Sequence, residues 1–178
     1  MLNIVLYEPL IPQNTGNIIR TCVGINAKLH LIEPMGFSLE DKYLKRSGLD
    51  YFKTADFTIY PNFNDFSEKN KGKYLYFSRY GKKSYSEINF KEIKEDVYLI
   101  FGKETTGVDR HLLHDHIGDT YRIPHNDQIR SLNLSNSVAI VAYEYLRQLD
   151  YPNLFKEEPN TLKGRDFLDS FGDDDEWK

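Results

Sequence analysis

Short apolar runs recur along this chain, and segments with helical spacing fill the gaps between them. Residues 2–7 (LNIVLY), 28–33 (KLHLIE), 57–60 (FTIY), 74–78 (YLYFS) and 97–101 (VYLIF) have the length and composition of strands. Residues 121–123 read as a shorter one. Residues 12–26 (a helix opened by Asn14), 39–46, 64–69, 109–116 and 133–149 read as helices or helical turns, while 88–95 fit neither pattern. Apolar runs of strand length alternating with helices imply an α/β fold, a mostly parallel sheet flanked by helices. There is no internal repeat, and 178 residues favour one compact domain with a core of its own.

The net charge of −4 is misleading until it is divided along the chain. From Lys156 onward there are eight acidic and four basic residues, so residues 1–155 sum to zero. The body is expected to end near residue 152, leaving an acidic extension over 153–178 that is partly disordered. Phe155, Leu162, Phe167, Leu168, Phe171 and Trp177 are the apolar side chains in it that could dock. In the body, Lys69, Lys71, Lys73, Arg79, Lys82 and Lys83 fall in a stretch without acids, interleaved with Tyr74, Tyr76, Phe77 and Tyr80. Basic residues for phosphates and aromatic faces for bases are the components of single-strand nucleic-acid binding. A solvated loop beside one core strand is the alternative reading.

No apolar run approaches the roughly 20 residues of a membrane helix, and the opening run lacks a basic segment before it. Cys22 is the single cysteine, which excludes an intrachain disulfide and suggests a reducing compartment, with the cytoplasm as default. Its spacing from Ile18 and Ile25 reads as core. His111, His114 and His116 form an H-x-x-H-D-H cluster, but helical spacing does not bring the imidazoles to one face, and no metal is expected there.

The stretch IPHNDQIRSLNLSNSVAIVAYE, from Ile123 to Glu144, carries the strongest functional signal. A strand end leads into a polar loop and then into an almost wholly apolar helix. Such loops at helix starts hold ligands and phosphates. A helix apolar on all sides is buried on all sides, so one face should pack on its own sheet and the other on a second subunit. Asn133 and Ser135 stand where helix caps do, a role compatible with a place in the site.

Two further glycine-containing segments follow strands. Asn14-Thr15-Gly16-Asn17 lacks the G-x-G-x-x-G dinucleotide fingerprint, and Gly102-Lys103-Glu104-Thr105-Thr106-Gly107 lacks the Gly-Lys-Ser/Thr ending of a P-loop. Taken in order, however, NTGNIIR at 14–20, FGKETTG at 101–107, and Ile123-Pro124 with RSLNLSN at 130–136 resemble the SPOUT-class RNA 2′-O-ribose methyltransferases. The opening LNIVLYEP and LHLIEPMGF at 29–37 are similar to its small single-domain branch, the TrmL/YibK tRNA wobble-position cytidine/uridine 2′-O-methyltransferases. The resemblance covers about residues 1–152.

It implies an α/β sheet whose C-terminal part is threaded into a trefoil knot, and S-adenosylmethionine as cofactor. It also implies a homodimer through the last helix, 133–149, and the knot. Cofactor contacts are implied at Phe77 or Ser78, Gly102, Ile123, Ser131 and Leu132, largely through backbone groups. The catalytic arginine falls on Arg20, and supporting polar residues fall on Asn14, Glu104, Ser131 and Asn133. His125 stands where the family usually has Met, and Thr106 where a basic residue often precedes the glycine.

The chemistry suits these residue types. A guanidinium stays protonated, so Arg20 is expected to hold a phosphate and stabilise the forming alkoxide while phosphate or water takes the proton. Asn14 and Asn17 are expected to orient it, and Glu104 to act as an orienting acceptor near the cofactor. The expected activity is methylation of a tRNA ribose, at the wobble pyrimidine, with no role for membrane or DNA. The same chemistry on ribosomal RNA, or a silent RNA-binding dimer of the same fold, are the alternatives. Tyr143 on the last helix is expected in the core or at the interface.

Overall fold

The computed structural model describes residues 1–39 and 51–170. The helix expected over 39–46 falls almost wholly outside the described residues. Seven strands form one sheet in the order β3-β2-β1-β6-β4-β7-β5, and every strand pair in it is parallel. They are β1 (Leu2–Tyr7), β2 (Lys28–Ile32), β3 (Phe57–Tyr60), β4 (Lys73–Phe77), β5 (Lys83–Ser84), β6 (Val97–Gly102) and β7 (Thr120–Arg122). The helices are α1 (Pro12–Gly24), α2 (Phe63–Lys69), α3 (Arg110–Asp115) and α4 (Leu134–Gln148). Residues 85–92, expected to be irregular in part, contain two short 3₁₀ turns.

Alternation along each strand sends side chains to opposite faces. Ile4, Leu6, Leu29, Leu31, Leu75, Leu99 and Phe101 pack with Ile18, Ile19 and Cys22 of α1 and with Val138, Val141, Ala142 and Leu146 of α4. Val5, Ile32, Tyr76, Tyr98 and Ile100 point the other way, onto Phe66 of α2 and Leu113 of α3. A sheet covered on both faces explains why its strands read as apolar runs rather than as alternating ones. No helix among the described residues is long and apolar enough to cross a membrane.

Of two helix starts read from the sequence, one differs from expectation. α1 is not capped by Asn14: its N-cap is Ile11, which makes no side-chain cap bond, and Pro12 occupies the first turn. Proline there loses no hydrogen bond and arrives with its φ already helical. Asn14 is instead buried within that first turn. α4 does open as expected, with Asn133 accepting from the backbone of Ser135 and Asn136.

β7 lies between β4 and β5, although these two strands are joined by residues 78–82 alone. That short connection therefore crosses β7. Gly81 makes the crossing sterically feasible, since a Cβ there would sit 2.4 Å from the carbonyl carbon of Tyr121. A strand inserted beneath a loop is the local arrangement that the expected knot requires. β5 itself escaped the sequence reading because two residues carry no periodicity.

Candidate active site

Because the strands are parallel, their carboxyl ends share one edge, and four loops meet there. They follow β1, β4, β6 and β7, and they enclose a cavity of about 600 Å³ beside the starts of α1 and α4. Phe77 and Phe101, stacked with ring centres 4.9 Å apart, form part of its wall. Ile123, Leu132 and Leu134 add apolar surface.

Gly102 at the end of β6 is required by close backbone approach: a Cβ would meet the carbonyl carbon of Gly107 at 2.0 Å. The 103–107 loop folds back on itself, with the Gly107 N–H donating to the Lys103 carbonyl at 2.9 Å. Gly107 closes it at φ +78°, a conformation that suits glycine. The glycine spacing that resembled a P-loop thus serves a compact loop pressed against the cavity.

A hydrogen-bonded chain runs along one wall. Glu104 accepts from the backbone N–H groups of Leu10 (2.8 Å) and Ile11 (3.2 Å) and from Nδ2 of Asn14 (2.9 Å). Asn14 in turn accepts from Nδ2 of Asn133 at 3.0 Å. Asn133 Oδ1 accepts from Ser135 N and Asn136 N at the start of α4. Three distant segments are locked together through three side chains. The Glu104 carboxylate also supplies the uncapped start of α1 with negative charge, the favourable sign at that end of a helix.

All six residues expected at a cofactor, Phe77, Ser78, Gly102, Ile123, Ser131 and Leu132, line the cavity, as do Asn14, Glu104 and Asn133. Arg20 does not. It lies six residues beyond Asn14 on α1, about 9 Å along the axis at 1.5 Å per residue, is exposed, and places its guanidinium 5.2 Å from the centre of the Tyr51 ring. Nor do Asn14 and Asn17 orient it. Asn14 is engaged by Glu104 and Asn133, and Asn17 is exposed, its carbonyl accepting from Thr21 Oγ1.

The basic and aromatic strip of 69–83 is not one surface. Lys69 pairs with Asp65 and Lys73 with Asp119, at the amino end of β4 and away from the cavity. Tyr76 and Phe77 are buried and Tyr74 is half-buried, because both faces of the sheet are covered. Arg79 and Tyr80 do reach the cavity, joined by His125 and Arg130 and by Arg110, which the sequence reading left out. Its place just after the 102–107 loop was the cue that could have found Arg110.

The family model described as the SpoU rRNA methylase family matches residues 1–143. The chain belongs to that family. A relative from Escherichia coli (strain K12), named tRNA (cytidine(34)-2′-O)-methyltransferase, is 44% identical over 154 residues, covering 85% of this chain and 96% of its own. A solved structure concerned with the 2-OH methylation of C/U34 on tRNA is 40% identical, with a TM-score of 0.77, covering 84% of this chain and 97% of that one. A more distant family member, AviRb from Streptomyces viridochromogenes in complex with AdoMet, shares the fold at 21% identity and a TM-score of 0.72, over 84% of this chain and 61% of that one.

Proposed function

We propose that this chain is an S-adenosylmethionine-dependent tRNA 2′-O-methyltransferase that acts on the ribose of the wobble pyrimidine, as a cytoplasmic homodimer. The observation that carries the reading is the single cavity wall on which Phe77, Ser78, Gly102, Ile123, Ser131 and Leu132 converge beside the Glu104–Asn14–Asn133 chain. The names of close relatives support the substrate. Ribosomal RNA as the substrate, or silent binding, has no comparable support.

The cavity's composition fits the cofactor. Its volume lies within the roughly 300–1,000 Å³ of small-molecule sites, and its wall combines aromatic and aliphatic surface for a purine and the carbon chain of a sulfonium with backbone polar groups from 102–107 and 131–134. When bound, S-adenosylmethionine would supply an electrophilic methyl that passes in line from its sulfonium sulfur to a ribose oxygen, with S-adenosylhomocysteine as the leaving group. The protein holds the loops in register: Glu104, with its carboxylate taken up by three donors, is a positioning residue rather than a base. Asn14 and Asn133, each bonded within the chain, set the loop ends against which the nucleotide must lie.

Arg20 lies off its own cavity, and the homodimer gives it another to serve. α1 packs beside α4, and α4 leaves Tyr143 exposed and Ile140 half-buried. Pairing two copies through that face brings a second α1 to the site, where its Arg20 holds a phosphate and stabilises the forming alkoxide.

The test supplies labelled S-adenosylmethionine, the purified protein and total RNA from a strain lacking it, then maps the labelled nucleotide. Label on the ribose of a tRNA wobble pyrimidine is expected. Label in ribosomal RNA alone, or on a base, would replace the substrate or the reaction, and no label would leave a binder.

A further inference from the structure

On the open side of the cavity lies a shallower groove of about 340 Å³, lined in part by Arg79, Tyr80, Arg122, His125, Asp127 and Arg130. Arg79, Tyr80, His125 and Arg130 also line the cavity, so the two spaces share a wall. Among the described residues Arg79, Arg122 and Arg130 form no ion pair, whereas Lys69 and Lys73 nearby are held by Asp65 and Asp119. Guanidinium groups left without carboxylates in a concave surface are poised for an anion with planar pairs of oxygens, and a phosphate diester presents such pairs.

Tyr80 supplies the second half of the argument. It is 46% exposed, unusual for so large a ring beside a cavity. Arg79 donates to its hydroxyl at 2.8 Å and stacks over one ring face, 4.8 Å from the centre. The hydrogen bond from Arg79, followed by the charges of Arg79, Arg110 and Arg130, holds the Tyr80 hydroxyl below its ordinary pKa, which registers the positive field of the junction. Arg79 covers one face only. His125, between groove and cavity, directs Nδ1 at the Asn126 carbonyl at 2.8 Å, so that nitrogen donates.

We propose that this groove is the subsite for the RNA nucleotide next to the methylated one, with its base stacked on the open face of Tyr80 and its flanking phosphates held by Arg122 and Arg130. The proposal rests on the methyltransferase reading and adds to it the path of the strand. Base stacking on an aromatic face requires an unpaired base, so the substrate enters as a single-stranded loop rather than as a duplex. Asp127 is the one carboxylate among the groove residues named here, and it leaves the groove net positive against the three arginines.

The experiment measures binding of a fluorescein-labelled single-stranded heptaribonucleotide, and of a duplex of equal length, across a salt series. Tyr80→Leu should weaken single-strand binding about 5- to 150-fold, and Tyr80→Phe, which keeps the ring, should stay close to the unmodified protein. Arg122→Gln, outside the cavity wall, should lower the slope of log affinity against log salt by about 0.7. Calorimetry with S-adenosylhomocysteine, run on each variant, separates the two readings. Intact cofactor binding with unchanged RNA affinity in Tyr80→Leu and Arg122→Gln overturns the groove alone. So does equal loss for single strand and duplex, or equal loss in Tyr80→Leu and Tyr80→Phe. Absence of cofactor binding in the unmodified protein overturns the methyltransferase reading, whatever the groove does.

Discussion

Two polar side chains show how differently a residue can be held inside this fold. Glu104 is held by three donors, two of them backbone groups at the start of α1. Glu104→Gln keeps the shape but turns one acceptor into a donor facing donors. With charged hydrogen bonds contributing about 1.5–3 kcal/mol, the variant should lose about 2 kcal/mol, a Tm fall of roughly 4–8 °C at this chain length. Scanning calorimetry checks it; an unchanged Tm would mean the chain is not holding the loops. His30 is the opposite case, buried and neutral. Asn3 donates through Nδ2 to the carbonyls of Met1 and Val97, so its Oδ1 accepts from His30 Nε2 and His30 Nδ1 accepts from the Tyr60 hydroxyl. Burial, helped by Lys28, lowers the His30 pKa to about 4. The unfolded chain, near 6.5, therefore binds the proton more readily. The stability from neutral His30 is complete above about pH 6.5 and is lost as pH falls toward 4, on the order of 3 kcal/mol in all. Urea midpoints between pH 4 and 7 should slope less in His30→Leu than in the unmodified protein; equal slopes would assign the effect to other groups.

At the scale of elements, α4 separates what sequence pattern can say from what it cannot. Its start was legible because Asn133 has the chemistry of a cap, and its length because apolar spacing persists to Gln148. In a single copy α4 is buried on one face only, the other being the face expected to meet a second subunit. Val138, Val141, Ala142 and Leu146 are buried, while Tyr143 is 50% exposed. Periodicity gives the faces of a helix but not their occupants. The same limit misread the 69–83 strip, where Tyr76 lies within β4 in the core and Tyr80 lies in the loop beyond it, on the surface. It also hid the Glu104–Asn14–Asn133 chain, since no pattern announces contacts between residues about 90 and 119 positions apart. The parallel strands were legible because they depend on local composition, whereas the residues of the cavity loops were placed by the family resemblance of their motifs. A surface test follows from the two faces of α4. Tyr143→Asp should shift sedimentation from dimer to monomer with far-UV circular dichroism unchanged, whereas Ala142→Arg, buried against α1 and the sheet, should unfold the chain. A Tyr143→Asp protein that remains dimeric would move the interface elsewhere.

For the whole molecule, the placement of Arg20 poses a question that one copy cannot answer. Its guanidinium rests over Tyr51, outside the cavity that its helix start helps to enclose. If each cavity is completed by the Arg20 of the other copy, damage to the two parts is complementary when placed in different chains. Arg20→Ala should lower turnover by about 10²-fold or more while sparing cofactor affinity. Leu132→Trp, which fills the cavity, should abolish cofactor binding and turnover together. Mixing equal amounts, after mild dissociation and reassociation, makes half the dimers mixed. Each mixed dimer has one cavity from the Arg20→Ala chain and one intact Arg20 from the Leu132→Trp chain. Turnover should return to about a quarter of the unmodified level, because one site in two is complete in half of the dimers. Cofactor titration would show that the recovered sites belong to the Arg20→Ala chains. Arginine acting within its own chain predicts no recovery at any mixing ratio, since every open cavity would then face its own alanine.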